Sequence, residues 1–178
     1  MRRFITLVTI AALAAAVVTQ WQRVKELGRQ VLSRGTTEES RFMSEANKAL
    51  ARRAWELADN PDVLDEVYAP DVVWHEPDQE IRGLEQAKQF VTTYNTAFPD
   101  MTVTVEDVIA EGDKVVTRVT LRGTHQGETE EFGPPTGRQV ELKGITISRI
   151  EGGKIVEDWD AYDNLSAMQQ LGLAPEQQ

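Results

Sequence analysis

Residues 139–162 read Gln-Val-Glu-Leu-Lys-Gly-Ile-Thr-Ile-Ser-Arg-Ile-Glu-Gly-Gly-Lys-Ile-Val-Glu-Asp-Trp-Asp-Ala-Tyr. Polar and apolar side chains alternate on both sides of Glu151-Gly152-Gly153, which predicts strands over 139–150 and 154–162 joined by a tight antiparallel turn. Working backwards, Thr102 to Ile109 and Lys114 to Gly123 keep the same period of two around Glu111-Gly112-Asp113. Before residue 100 the period becomes helical. Ala46, Leu50, Ala54 and Leu57 recur at three- and four-residue spacing after Ser44, read as an N-cap, and predict a helix ending near Asp59. Asn60-Pro61 opens a short helix that Pro70-Asp71 stops, and Val72 to His75 reads as a strand. Gly83 opens a helix over 84–97, with Leu84, Ala87, Phe90, Val91 and Tyr94 as its buried stripe. A last helix, Leu165 to Leu171, closes at Gly172. Helices first and antiparallel strands afterwards give an α+β class. The long helices are the only cover for one face of the sheet, so a curved sheet wrapped around them makes a cone with an interior pocket.

The chain has 178 residues, 40% of them hydrophobic and 27% charged, enough for one soluble domain and some extra length. It has no cysteine and only two histidines, His75 and His125. Disulfides, thiolate chemistry and a three-histidine metal site are therefore excluded, and no ligand-spaced third partner suggests another metal site. Six basic residues against one acid give residues 1–36 a net +5; with the whole chain at −10, the rest carries −15. So acidic a body repels phosphate backbones, and nucleic acid is not an expected partner.

Met1-Arg2-Arg3 precedes fifteen uncharged residues, Phe4 to Val18. Three readings stay open here: a cleaved export signal over 1–21, an uncleaved membrane anchor through residues 4–21, or an ordinary amphipathic helix. The first two place the protein outside the cytoplasm or on a membrane. Residues 22–42 read as a short helix and linker, 43–173 as the domain, and 174–178 as a tail.

Several short pieces occur in order along 43–173: Ala69-Pro-Asp71 followed by His75, Gly83, Ala97-Phe-Pro-Asp100, Gly123-Thr-His-Gln-Gly127, Gly133-Pro-Pro-Thr-Gly137, Arg149-Ile-Glu-Gly-Gly-Lys-Ile155, then Trp159, Asp163 and Gln170-Leu-Gly172. By these pieces the chain resembles the SnoaL-like polyketide (ester) cyclases of the nuclear-transport-factor-2-like (NTF2-like) superfamily, a fold of cone-shaped barrels. The resemblance implies cofactor- and metal-free ring closure of a small apolar or aromatic carbonyl compound, and a homodimer. It also implies an aspartate general acid/base on the last strand, which falls on Asp160. Thr146 and Gly144 stand where the family's studied cyclases carry a histidine and a glutamine.

The residues themselves leave the register open. A three-residue turn would pair Thr146 with Asp158 and Gly144 with Asp160, gathering Gly144, Thr146, Ser148, Val156, Asp158, Asp160 and Tyr162 on one face and Ile145, Ile147, Ile155, Glu157 and Trp159 on the other, with the glycine opposite Asp160 leaving room for a ligand. A two-residue turn would move Asp160 to the face of Ile145 and Ile147. We favour the first, because Gly-Gly suits a bulged turn. Glu157, Asp158, Asp160 and Asp163 are, on the plainest view, solvated acids and a helix cap. A catalyst among them needs an apolar pocket that raises its pKa; Asp160 is our choice, with Glu157 or Asp158 next if the register differs. His75 is either a hydrogen-bonded structural residue or a donor to a carbonyl oxygen. His125 reads as structural or as part of a pocket rim. Trp74, Phe90, Tyr94, Thr146, Trp159 and Tyr162 complete the candidate pocket. The alternative to an enzyme is a tethered or exported ligand-binding module on the same fold.

Overall fold

The computed structural model describes residues 2–56, 60–130 and 132–174; side chains within 2–19 and 30–36 lie outside the description. Two compact units result, Met1–Phe42 and Met43–Gln178. Helix α1 runs Arg2–Glu56. The linker expected around residues 35–40 is therefore helix, and Ser44 is not a cap. No proline interrupts 2–56, and Gly28 and Gly35 alone cost only about 1 kcal/mol each. The membrane or export segment expected at 4–21 falls almost wholly on side chains outside the description, as do Leu57, Asp59, Glu131 and most of the tail. Among the described residues, no helix is long and apolar enough to cross a membrane.

In the second unit, Asn60 caps a short 3-10 helix, Pro61–Glu66, its side chain accepting from Asp62 N–H at 3.2 Å. Strand β1, Tyr68–His75, starts four residues before the predicted one and includes Pro70. That proline falls where the pairing of β1 slips between Tyr68 and Val73, a break in the ladder that needs no N–H. The strand reading had missed β2, Glu80–Arg82, which is only three residues long. Helix α2 is Leu84–Ala97, as read, and turns its stripe inward with Ala87 fully buried. Strands β3 (Thr102–Glu111), β4 (Lys114–Thr124), β5 (Gln139–Glu151) and β6 (Lys154–Tyr162) follow. Helix α3, Asn164–Leu171, is capped by Asp163 and closed by Gly172 in the left-handed conformation.

The six strands form one curved, unclosed sheet in the order β2-β1-β6-β5-β4-β3. Every pairing is antiparallel except β1 with β6. Three apolar clusters fill the concave side. The first joins Ala51 and Ala54 of α1 to Val67, Val115, Ile150 and Ile155. A second gathers Leu64, Val72, Trp74, Ile81 and Ala87, and the third Ala97, Phe98, Phe132, Val140 and Leu171.

The β5–β6 hairpin decides which carboxylates face inward. Gly152 and Gly153 both have positive φ, 58° and 78°, and Glu151 pairs with Lys154, so the turn has two residues rather than three. Ile150 pairs with Ile155 but Arg149 with Glu157, which leaves Val156 as an extra residue. This bulge flips the strand's parity a second time. Thr146 therefore faces Asp160, Ser148 faces Asp158, and Gly144 faces Tyr162. The inward face of β5 and β6 is the polar one we favoured, although each pairing differs from the expected one by two residues. Ile155, assigned to the outer face, is fully buried because the bulge separates it from the rest of β6.

Candidate active site

A cavity of about 140 Å³ opens between the concave sheet and the helices. Trp74 of β1, Phe90 and Tyr94 of α2 and Tyr162 of β6 line it, four of the residues expected there. Tyr68, Leu64, Met101, Leu121, Leu142 and Asn164 line it too, and none of these was expected. Tyr68 had been read as the end of a helix, because Pro70 hides the start of β1. Aromatic packing fixes the wall. Tyr68 and Phe90 both meet Trp74 edge-on, at 5.1 and 6.1 Å, and Phe90 lies 4.7 Å from Tyr94. A second chamber of about 280 Å³ shares Tyr94, Met101, Leu121 and Leu142 with the first and ends at Phe98, Phe132, Met168 and Leu171.

Behind the tyrosines lie two carboxyls. Asp160 accepts hydrogen bonds from Thr146 Oγ1, directly across the strand pair, and from Tyr162 Oη at 3.2 Å. Asp158, two residues earlier on the same face, pairs across the strands with Ser148 and is only 3% exposed, and Ser148 and Tyr68 exert a lowering pull on its carboxyl. Neither aspartate is itself among the residues lining the cavity. Burial, and then the charge of Asp160, push Asp158 up to about 8. Burial likewise pushes Asp160 up to about 6, against the lowering pull of Thr146, Tyr162 and His75. The two groups titrate as a pair. Burial and the neighbouring acids also hold the Tyr68 and Tyr162 hydroxyls well above the usual phenol range. Gly144 makes room for this arrangement. A Cβ there would meet the Tyr162 ring at 2.1 Å, so the space opposite Asp160 that we had reserved for a ligand is filled by Tyr162.

Six candidates do not line the cavity: Asp158, Asp160 and Thr146 stand in the wall behind it, and His75, His125 and Trp159 lie away from it. Trp74 points inward, so its neighbour His75 points to the opposite face by strand alternation. There His75 hydrogen-bonds Glu157 at 3.0 Å, contacts Glu80 at 3.2 Å and stacks on Trp159 at 5.5 Å. With Trp159 it belongs to the outer side of the sheet, and the donor role read for it has no geometric support. His75 first, and then Arg149, hold the Glu157 carboxyl below its ordinary range. His125 is fully buried between Phe98 and Phe132, one layer behind the second chamber. Its Nδ1 accepts from Thr136 N–H at 3.3 Å, a structural setting. Among the described residues, no group of three or more His, Asp or Glu side chains is arranged to hold a metal ion.

Fold and site together define an NTF2-like, ketosteroid-isomerase-like cone with buried acids beside an aromatic cavity. The family model for SnoaL-like polyketide cyclases matches residues 48–171, and the chain belongs to that family. A protein from Jannaschia sp. CCS1 assigned as a SnoaL-like polyketide cyclase is 28% identical, with a TM-score of 0.67 over 74% of this chain and 95% of its own. IdmH of Streptomyces antibioticus, assigned as a polyketide cyclase, is 34% identical, with a TM-score of 0.62 over 71% of this chain and 98% of its own. A Catenulispora acidiphila protein of ketosteroid-isomerase-like fold shares 20% identity over 70% of this chain and 93% of its own, with a TM-score of 0.60, and so bears on the fold alone. No curated protein matches the chain.

Proposed function

We propose that this protein is a cofactor-free, cyclase-type acid/base catalyst acting on a small apolar or aromatic carbonyl compound, with Asp160 as the proton-transfer group. The observation that carries the reading is the desolvated carboxyl pair set directly behind Tyr68 and Tyr162, both of which line the cavity. A carboxylate whose pKa is raised towards neutrality is a competent base for an acidified C–H and returns the proton as readily. Cavity size supports the substrate class. An apolar cavity of about 150 Å³ holds one benzene ring, so the inner chamber fits one ring and the outer one an apolar extension. Family membership supports the reaction type.

The test is exchange of α-protons for solvent deuterium in a panel of aryl ketones and 1,3-diketones, followed by NMR. The protein is expected to accelerate exchange, and Asp160→Asn to lose roughly 10²–10⁴-fold of it. Full exchange by Asp160→Asn would refute the role. The alternative, a non-catalytic binding module, is favoured by the carboxyls' absence from the cavity lining. Compounds that bind tightly without exchanging would establish it.

Two further features support partners. Ile109, Val116, Ile147, Trp159 and His75 form one continuous cross-strand row on the outer face, with Ile109 66% and Ile147 37% exposed. We read this row as the contact of a homodimer. Residues 4–21, followed by exposed Trp21, Val24 and Leu27 among Arg23, Lys25 and Arg29, we read as the segment that meets a membrane.

A further inference from the structure

The inner chamber carries charge of one sign only. Beyond its aromatic residues the lining includes two carboxylates, Glu76 and Asp78, and no Lys, Arg or His side chain among the described residues. Strand alternation accounts for the first. Trp74 faces inward, His75 outward, and Glu76 returns to the inner side as β1 ends. Pro77 follows, and Asp78 is exposed at the mouth, where it lines both chambers. The base at the outer chamber, Arg122, is already held by Glu141, through Nε at 2.8 Å and Nη2 at 2.7 Å. With residues 37–178 at −15, the field around the mouth is negative as well.

The walls add to that preference. Trp55, Tyr68, Trp74, Phe90, Tyr94 and Tyr162 place six aromatic rings around a space of about 140 Å³. The face of an aromatic ring carries partial negative charge, and a box of such rings is a recurrent receptor for alkylammonium groups. Three kinds of ligand separate on these grounds. A neutral apolar compound strips water from the half-buried Glu76 and returns nothing for it. An anion meets two like charges and finds no base in the lining. A protonated amine replaces the lost water with an opposite charge, and lays its apolar body against the rings.

We propose that the inner chamber binds an amine: an aryl- or alkylammonium compound whose protonated nitrogen lies at the mouth beside Glu76 and Asp78 and whose apolar body fills the aromatic box. This rests on the reading of the chamber as the ligand site and not on the role of Asp160. Joined to that role, it makes the substrate a carbonyl compound that also bears an amine.

The experiment compares three compounds of one shape, phenethylamine, 2-phenylethanol and phenylacetate, titrated into the full-length protein at pH 7 and followed by ligand-observed NMR. At that pH the first is a cation, the second neutral and the third an anion. The amine should bind at least about tenfold more tightly than the alcohol, and the acid more weakly than either. Added salt should narrow the gap between amine and alcohol. In Glu76→Gln/Asp78→Asn protein the amine and the alcohol should bind alike, and Asp78→Lys should bring the acid above the amine. Asp78 is exposed and outside the three apolar clusters, so its variants test the point even if Glu76→Gln does not fold.

An alcohol that binds as tightly as the amine overturns the proposal alone and leaves the chamber as the ligand site. A preference for the amine that survives unchanged in the Asp78 variants and in the double variant also overturns it, because the nitrogen then lies elsewhere. Binding of none of the three overturns both the proposal and the reading of the chamber. In the first two cases a loss of α-proton exchange in Asp160→Asn would still stand.

Discussion

Replacing Asp158 by Asn should stabilise the fold at neutral pH and cost about 1 kcal/mol in acid. In the native state burial and Asp160 raise the Asp158 carboxyl to about 8, whereas in the unfolded chain it returns to about 3.9. Between those values the native protein holds a proton that the unfolded chain has released, so wild-type stability falls as pH rises through this window. At pH 7 the difference spans about three pH units at about 1.4 kcal/mol each, roughly 4 kcal/mol in favour of unfolding. Asn has the shape of the neutral acid and no proton to lose. An imperfect hydrogen bond from its amide towards Ser148 costs about 1 kcal/mol, which leaves a net gain of roughly 3 kcal/mol at pH 7. At pH 4 the gain vanishes and only the hydrogen-bond cost remains. Asp160 is raised in the same direction and titrates together with Asp158, so the pH-dependent part of the comparison belongs to the pair. Urea unfolding at pH 4, 5.5 and 7, with the denaturant slopes compared to exclude a change in the unfolded state, measures the effect. If the difference between variant and wild type is the same at pH 4 and pH 7, Asp158 is not a desolvated neutral acid and the reasoning fails.

Gly144→Ala should push the Tyr162 ring away from Asp160, since the new Cβ would lie 2.1 Å from Tyr162 Cδ1. We expect a loss of about 1–3 kcal/mol in urea unfolding together with reduced α-proton exchange, and wild-type behaviour in both would contradict the packing described. Ile147→Asp places a charge in the middle of the apolar row on the outer face; light scattering should then give a monomer where wild type gives a dimer, and a monomeric wild type would end the dimer proposal. Full-length protein should sediment with vesicles containing phosphatidylserine, and less so as salt rises, because the basic residues flanking Trp21 add to the apolar contribution. Equal binding to zwitterionic and anionic vesicles would remove the charge contribution from that account.

The helices and strands were legible where one residue-level signal dominated. Helix α2 and strand β6 have the predicted limits, because an apolar stripe ending at Pro99 in one case and strict alternation after Gly-Gly in the other leave little competition. Signals that compete with distant contacts misled. Pro70 argues locally against a strand, yet β1 carries it where its ladder with β6 is already broken. Gly35, Thr36 and Thr37 argue for a linker, yet no proline is present to stop the helix through them.

For the site, the family resemblance marked Asp160, and pattern and spacing set Asp158, Thr146, Trp74, Phe90, Tyr94 and Tyr162 beside it as pocket candidates; these lie on the concave side or in its wall, whereas His75, His125 and Trp159, read with them, do not reach the cavity. Alternation along a single strand carries that information, because successive side chains must take opposite faces. Which face is inward was decided by the two-residue turn and the bulge at Val156 together, each reversing the parity that the other sets. The same tertiary choice sent His75 and Trp159 outward and brought Tyr68 to Asp158. Desolvation of the carboxyl pair also depends on neighbours remote along the chain, from α1 to β6. A pKa set by burial is a property of the packed molecule, and no local run of residues encodes it.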